Sequence, residues 1–66
     1  MLTPAEEQLL HQALSHERMC IAKYRTYAEQ VTDPELKPLF QQLAQAEEQH
    51  ANTITSLLQA HMARIP

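Results

Sequence analysis

The chain has 66 residues, a formal net charge of −3 at pH 7 and no glycine, which limits it to one small domain near the lower limit for an independent hydrophobic core. With only five Lys and Arg residues and no basic stripe, it is not expected to bind nucleic acid. An apolar run of roughly 20 residues is missing, so a membrane span is not expected. Cys20 is a lone cysteine and the N-terminus lacks a signal-peptide pattern, which favours a reducing, cytoplasmic location.

The first predicted helix runs from about residue 4 to residue 31. Thr3 is a suitable N-cap, Pro4 fits the first helical position, and Glu6 can complete a capping box. Apolar side chains then recur at helical spacing as far as Val31, and Glu17 interrupts them near the middle of the stripe. The stripe predicts a helix that packs along one face. Its apolar members are Leu10, Leu14, Ile21, Tyr24, Ala28 and Val31.

The second predicted helix runs from about residue 34 to residue 63, after the break at residues 32–34. Asp33 is the expected N-cap, because the residue before a proline is biased away from helix and Asp caps well. A connection this short makes the two helices antiparallel neighbours. The predicted fold is therefore all-α: an antiparallel two-helix hairpin that forms a single domain over residues 1–66. One wide apolar face would remain in water, which predicts dimerisation into a four-helix bundle.

The second helix carries a similar apolar stripe, made of Leu36, Phe40, Leu43, Ile54 and Leu57. Three polar residues occupy interior positions of the two stripes. Glu17 lies fourteen residues before Val31, and Glu47 lies thirteen after Pro34, so both should lie about 20 Å from the turn. His50 shares a helix face with Glu47, because residues three apart are neighbours. Buried carboxylates are usually paired or bound to metal. The pattern thus predicts a site made of Glu17, Glu47 and His50, and a dimer would supply the ligand set of di-iron and di-manganese bundle proteins.

Other interpretations of the same residues stay open at this stage. Glu47 could pair with a Lys or Arg across the dimer, and His50 could be a hydrogen-bonded core histidine. His61 is expected at the end of the bundle, and Glu48 is expected to be solvated. Cys20 is expected to pack as a small buried side chain and Tyr24 to pack in the core. The remaining histidines, His11 and His16, should face solvent.

Motifs along nearly the whole chain resemble the ferritin-like superfamily. The order Glu17, Tyr24, Tyr27-Ala28, then Leu39-Phe40, Leu43-Ala44 and Glu47-x-x-His50-Ala51, is similar to one half of a rubrerythrin-type di-iron domain. The segment Thr32-Asp33-Pro34-Glu35-Leu36, followed by Glu47-Glu48-Gln49-His50-Ala51, is similar to the two-helix encapsulated ferritins. Finally, Lys23-Tyr24-x-x-Tyr27-Ala28 with Asp33-Pro34-x-Leu36-Lys37 resembles the spore coat F-like proteins.

The resemblance implies a homodimer, or a higher oligomer, with two Fe ions per dimer. In that family pattern Glu17 would be a terminal ligand, Glu47 would bridge the metals and His50 would be a terminal nitrogen ligand. It also implies ferroxidase activity towards O₂ or peroxide, with Mn or Zn as alternative metals. The runner-up interpretation is a structural module of a spore coat or scaffold that uses the same bundle without catalysis.

The chain departs from these relatives in three respects. It has no rubredoxin-type cysteine pairs, no evident shell-docking tail after His61, and too few residues for four helices. Storage of a large mineral by the chain alone is therefore not expected. A spore coat or a protein shell stays open as a location beside the cytoplasm.

Overall fold

The computed structural model describes residues 1–64 and shows two helices joined by a short turn. Helix α1 spans Pro4–Gln30 and helix α2 spans Leu36–Met62, and each has 27 residues. The described residues contain no strand, so the predicted all-α hairpin is confirmed. The last two residues of the predicted domain, 65 and 66, lie outside the described residues. Dimerisation stays a prediction.

The start of α1 is the predicted capping box. The backbone N–H of Glu6 donates to Thr3 Oγ1 at 3.1 Å, and the backbone N–H of Thr3 donates to Glu6 Oε1 at 2.9 Å. Two backbone donors that a helix start leaves without partners are thereby satisfied. The helix ends one residue earlier than predicted, because Val31 is already extended (φ −79°, ψ 144°) while its N–H still donates to the Tyr27 carbonyl.

The start of α2 differs from the prediction. Helix α2 begins at Leu36, two residues later than expected, and Glu35 directly before it makes no side-chain capping bond. Asp33 Oδ1 instead accepts from the N–H of Glu35 at 2.8 Å, and the Asp33 carbonyl accepts from Leu36 at 3.2 Å. The Asp33 side chain therefore makes the bond expected of an N-cap, to the N–H two residues further on. Its carbonyl also accepts the first bond of α-helical spacing, from Lys37 at 3.4 Å. At its other end α2 stops at Met62, one residue before the predicted Ala63.

Small side chains line the seam between the helices. Ala28, Ala44 and Ala51 are buried there, and Leu14, Ala51 and Leu58 form one packed cluster. Alanines let two helices approach closely, but they bury little apolar surface. No large side chain of the described residues is fully enclosed. The hairpin is a slab of 52 × 15 × 11 Å with a thin core, so one chain alone has little hydrophobic stabilisation.

The two broad faces of the slab differ in polarity. On one face Arg25 forms an ion pair with Glu48 beside Gln41 and Gln45. The other, which we call the apolar face, carries half-exposed side chains that recur at helical spacing on both helices. These side chains are Leu9, Tyr27, Leu36, Leu39, Leu43 and Leu57, and each is between 36 and 63 % exposed.

Neither helix of the described residues combines the length and the apolarity that a membrane span needs.

We predict that Thr3→Ala lowers the free energy of unfolding by about 1 kcal/mol, the usual loss for an N-cap. The matched control is Thr26→Ala, since Thr26 is exposed in the middle of α1 and its hydroxyl donates only to the Ala22 carbonyl. Alanine is a good helix former, so the control should be neutral or slightly stabilising. Urea unfolding followed by circular dichroism measures both. Equal effects of the two variants would contradict a capping role.

Candidate metal centre

The structure brings the three polar residues of the stripes together. His50 Nδ1 lies 3.4 Å from Glu47 Oε1 and 3.8 Å from Glu17 Oε2. One ligand atom of each residue lies within 4.8 Å of the other two. Glu17 on α1 therefore lies at the same height along the hairpin as Glu47 and His50 on α2, as their sequence distances from the turn predicted. Binding of a metal by these residues stays a prediction.

The three side chains differ in their access to solvent. The Glu17 and Glu47 side chains are only 18 and 22 % exposed, whereas the His50 side chain is 62 % exposed. Glu17 comes from α1, while Glu47 and His50 stand one turn apart on α2. The carboxylates are thus held between the helices, and the imidazole stands at the rim where an incoming group can reach it.

The neighbouring Glu47 raises the affinity of Glu17 for a proton at this point. The pKa of Glu17 lies above its ordinary value of 4.5, because a protonated Glu17 can hydrogen-bond to Glu47, because burial disfavours the charged form, and because the Glu47 charge is close. Glu17 Oε2 is buried without a hydrogen-bond partner among the described residues. A proton or a cation at this point would therefore stabilise the site.

The donor set fits a divalent cation of the iron, manganese or zinc type. Carboxylate oxygens with one imidazole nitrogen suit these metals, but they do not select one of them. A cation between the carboxylates would also satisfy Glu17 Oε2. Within one chain, none of the ion pairs among the described residues joins a Lys or Arg to Glu17 or Glu47. The alternative that Glu47 pairs with a basic residue is thus unsupported within one chain, and across a dimer it stays open.

A family model described as "Domain of unknown function (DUF2383)" matches residues 5–64 of the chain. The chain belongs to this family. None of the curated proteins or solved structures that were compared with it matches. The family description assigns no activity, so the function of this DUF2383 domain has to be argued from the geometry of its side chains.

Glu48 does not behave as the sequence predicted. It was expected to be solvated, but it is partly buried and forms an ion pair with Arg25 of α1. The long Arg25 side chain allows this contact across the seam on the polar face. Glu48 therefore points away from Glu47 as expected, yet it joins the two helices of the DUF2383 domain.

His61 is buried and has a partly exposed partner, Glu7, that the sequence did not predict. Its Nε2 lies 3.2 Å from Glu7 Oε2, and its Nδ1 is buried without a partner among the described residues. Glu7 precedes Glu17 by ten residues, so this pair lies about 15 Å from the triad. The end-of-bundle position predicted for His61 agrees with this. The signal that could have found Glu7 is its place three residues before Leu10, on the same helix face.

The other singled-out residues surround the centre without joining it. Tyr24 is partly buried and stacks on Phe40, with ring centroids 6.4 Å apart, which agrees with its predicted packing role. Cys20 is only partly buried, and its Sγ lies 3.6 Å from His16 Nε2. His16 and His11 are exposed as predicted.

We predict that Glu17→Gln stabilises the metal-free DUF2383 domain at pH 7, because it removes one of two crowded charges. A raised pKa in the folded state adds stability below the unfolded pKa, and this stability is lost as pH rises through the folded pKa. The advantage of the variant should therefore shrink as pH falls to about 4.5, the ordinary value. Melting temperatures of both proteins between pH 4.5 and pH 8 measure it; an advantage that does not change with pH would contradict the coupling.

Proposed function

We propose that the chain is a metal-binding, ferritin-like protein that forms a homodimer with a di-iron site between its subunits. The site would oxidise Fe²⁺ with O₂ or peroxide. The observation that carries the proposal is the convergence of Glu17, Glu47 and His50, in which a buried Glu17 oxygen has no hydrogen-bond partner within residues 1–64. The resemblance of the chain to rubrerythrin-type half-domains points to the same chemistry.

A second copy of the chain is needed to complete a two-metal site. One chain offers two carboxylates and one imidazole, whereas the two-metal sites of helical bundles use four carboxylates and two imidazoles. His50 is 62 % exposed, so its ring is accessible to a group from outside the hairpin. A broad side of the hairpin, whose extents are 52 and 15 Å, is large enough for the roughly 800 Å² per partner of a standard interface.

The residues of the site would have separate tasks in this activity. The charges of Glu17 and Glu47 attract Fe²⁺, and the proton that Glu17 binds more tightly than an ordinary carboxyl must leave when the metal enters. Leu14, Ile21 and Ile54 keep water from the helix seam beside the carboxylates. When bound, two Fe²⁺ ions would supply two electrons, which with two protons reduce O₂ to hydrogen peroxide or hydrogen peroxide to water.

We predict that an anaerobic Fe²⁺ titration of the purified protein reaches a sharp endpoint near one iron per chain. Glu47→Ala should abolish this binding while circular dichroism still shows the helices. The matched control is the neighbouring Glu48→Ala, which removes one carboxylate from the same turn but breaks only the ion pair with Arg25. It should keep the endpoint of the unmodified chain. Unchanged iron binding by Glu47→Ala would refute the assignment.

Oxygen uptake after Fe²⁺ addition separates the proposed activity from the structural alternative. A scaffold module would use Glu17, Glu47 and His50 as a buried polar network, and the distance of 3.4 Å between His50 Nδ1 and Glu47 Oε1, within ion-pair range, is what favours it. In that case uptake would not exceed that of buffer. The proposed oxidase activity requires uptake that depends on the protein and that Glu47→Ala loses.

We also predict that metal raises the melting temperature of the protein. A ligand that binds only the folded state stabilises it by about 2.7 kcal/mol at a hundred times its Kd, and here it also relieves repulsion between Glu17 and Glu47. Differential scanning calorimetry with and without Fe²⁺ or Mn²⁺ measures the shift, and Glu48→Ala should show the same shift as the unmodified chain. A melting temperature that stays constant at saturating metal would contradict binding to the folded hairpin.

A further inference from the structure

The open end of the hairpin, where α1 begins and α2 ends, carries a second group of side chains that can bind a metal. Glu7 lies in the first turn of α1, and its carboxylate stands between two imidazoles. Glu7 Oε2 lies 3.2 Å from His61 Nε2 of α2, and Glu7 Oε1 lies 3.9 Å from His11 Nε2 of α1. Glu7 precedes Glu17 by ten residues, about 15 Å along the helix. The group is therefore separate from the triad of the candidate metal centre.

His61 has fewer partners than a buried histidine needs. The residue is only 6 % exposed, and its Nδ1 is buried with no hydrogen-bond partner within residues 1–64. Its Nε2 has the one contact with Glu7. Buried polar atoms are normally paired, because an unpaired one loses its bonds to water without replacement. A metal ion bound to Nε2 would form a stronger bond than the contact with Glu7 and would offset part of this cost.

The two helices hold the three side chains from opposite sides of the seam. The start of α1 is fixed by its capping box, and the N–H of Glu7 donates to the Thr3 carbonyl at 2.9 Å. Side chains four residues apart share a helix face, so His11 stands on the same face as Glu7. His61 comes from the last turn of α2. One helix thus supplies two donors and the other supplies the third.

The distances are close to those of one tetrahedral ion. Zinc lies about 2.0 to 2.1 Å from its nitrogen and oxygen ligands, so two ligands of one tetrahedral zinc are about 3.3 to 3.4 Å apart. The contact between His61 and Glu7 already has this length, at 3.2 Å. The contact between Glu7 and His11 is longer, and His11 has to turn towards His61. The His11 side chain is 58 % exposed, so this rotation breaks little packing.

This donor set prefers other metals than the triad does. Two imidazoles and one carboxylate are the ligands of zinc sites that keep a fourth position open. The triad has the reverse ratio, with two carboxylates and one imidazole. Affinity for divalent ions rises from Mn²⁺ and Fe²⁺ towards the later metals, and imidazole suits zinc. The open-end group should therefore bind Zn²⁺ more tightly than Fe²⁺ or Mn²⁺.

We propose that Glu7, His11 and His61 form a second metal site, which binds Zn²⁺ and joins the first turn of α1 to the last turn of α2. Water fills the fourth position. The turn at residues 31–35 connects the helices at one end of the hairpin, and the zinc ion connects them at the other. The proposal does not depend on the di-iron function, because the two sites share no residue.

Titration of Zn²⁺ against a chromophoric zinc chelator tests the proposal. The Glu47→Ala chain is the starting protein, because it lacks the complete triad but keeps the open-end group. It should bind one Zn²⁺ per chain and melt at a higher temperature when zinc is present. Adding His11→Gln should weaken zinc binding by more than about tenfold, since even the loss of a residue behind a ligand costs that much. His11 is exposed, so circular dichroism should still show the helices.

Two further variants make the outcome decisive. His61→Gln should weaken zinc binding as His11→Gln does; if it unfolds the chain, the exposed His11 decides. The matched control is His16→Gln, which removes another exposed histidine of α1, one whose Nε2 lies 3.6 Å from Cys20 Sγ. It should keep the affinity. Loss of zinc with His16→Gln but not with His11→Gln would overturn the proposal, and so would unchanged binding by both His11→Gln and His61→Gln.

The iron titration keeps this result separate from the proposed function. A chain that binds zinc through His11 and His61 but takes up no iron would refute the di-iron proposal and leave the zinc site standing. A chain that reaches one iron per subunit, and whose Glu47→Ala variant binds no zinc, would refute the zinc site alone.

Discussion

The repulsion between two carboxylates at the centre of an apolar face is the constraint on which the rest of this structure depends. Glu17 and Glu47 are largely buried, and within the described part of the chain the imidazole of His50 lies within ion-pair distance of both. Such a pair is stable only if it takes up a proton, a metal cation or a partner. The pKa of Glu17 is raised, so this carboxyl holds a proton more tightly than an ordinary glutamate does. A cation shared with a second copy would meet the same demand while keeping both carboxylates charged.

The thin core gives a second, independent reason for association. The seam consists largely of alanines, and half-exposed leucines cover the face that also carries the triad. A hairpin of this size cannot bury those leucines by itself. Association through the apolar face would therefore satisfy the hydrophobic side chains and the carboxylates at once. The stability of the fold and the completeness of the proposed site would then depend on the same contact.

Periodicity and capping predicted most of the fold, because both act locally. The Thr3 capping box and the break at residues 32–34 located the helices to within two residues. Asp33 caps the N–H of Glu35 as predicted, but the next two residues form a turn, so α2 starts at Leu36, two residues later than expected. Sequence distance also predicted that Glu17 meets Glu47. The Glu48–Arg25 and Glu7–His61 contacts were missed, because they depend on how far long side chains reach across the seam.

Electron paramagnetic resonance of the protein loaded with Mn²⁺ tests the central claim most directly. If two half-sites combine into one centre between subunits, the two Mn²⁺ ions lie close enough to couple magnetically, and the spectrum is that of an exchange-coupled pair. Glu48→Ala should give the same spectrum, and Glu47→Ala should give only the signal of manganese in solution. The hyperfine pattern of isolated, protein-bound Mn²⁺ at full loading would contradict a shared two-metal centre.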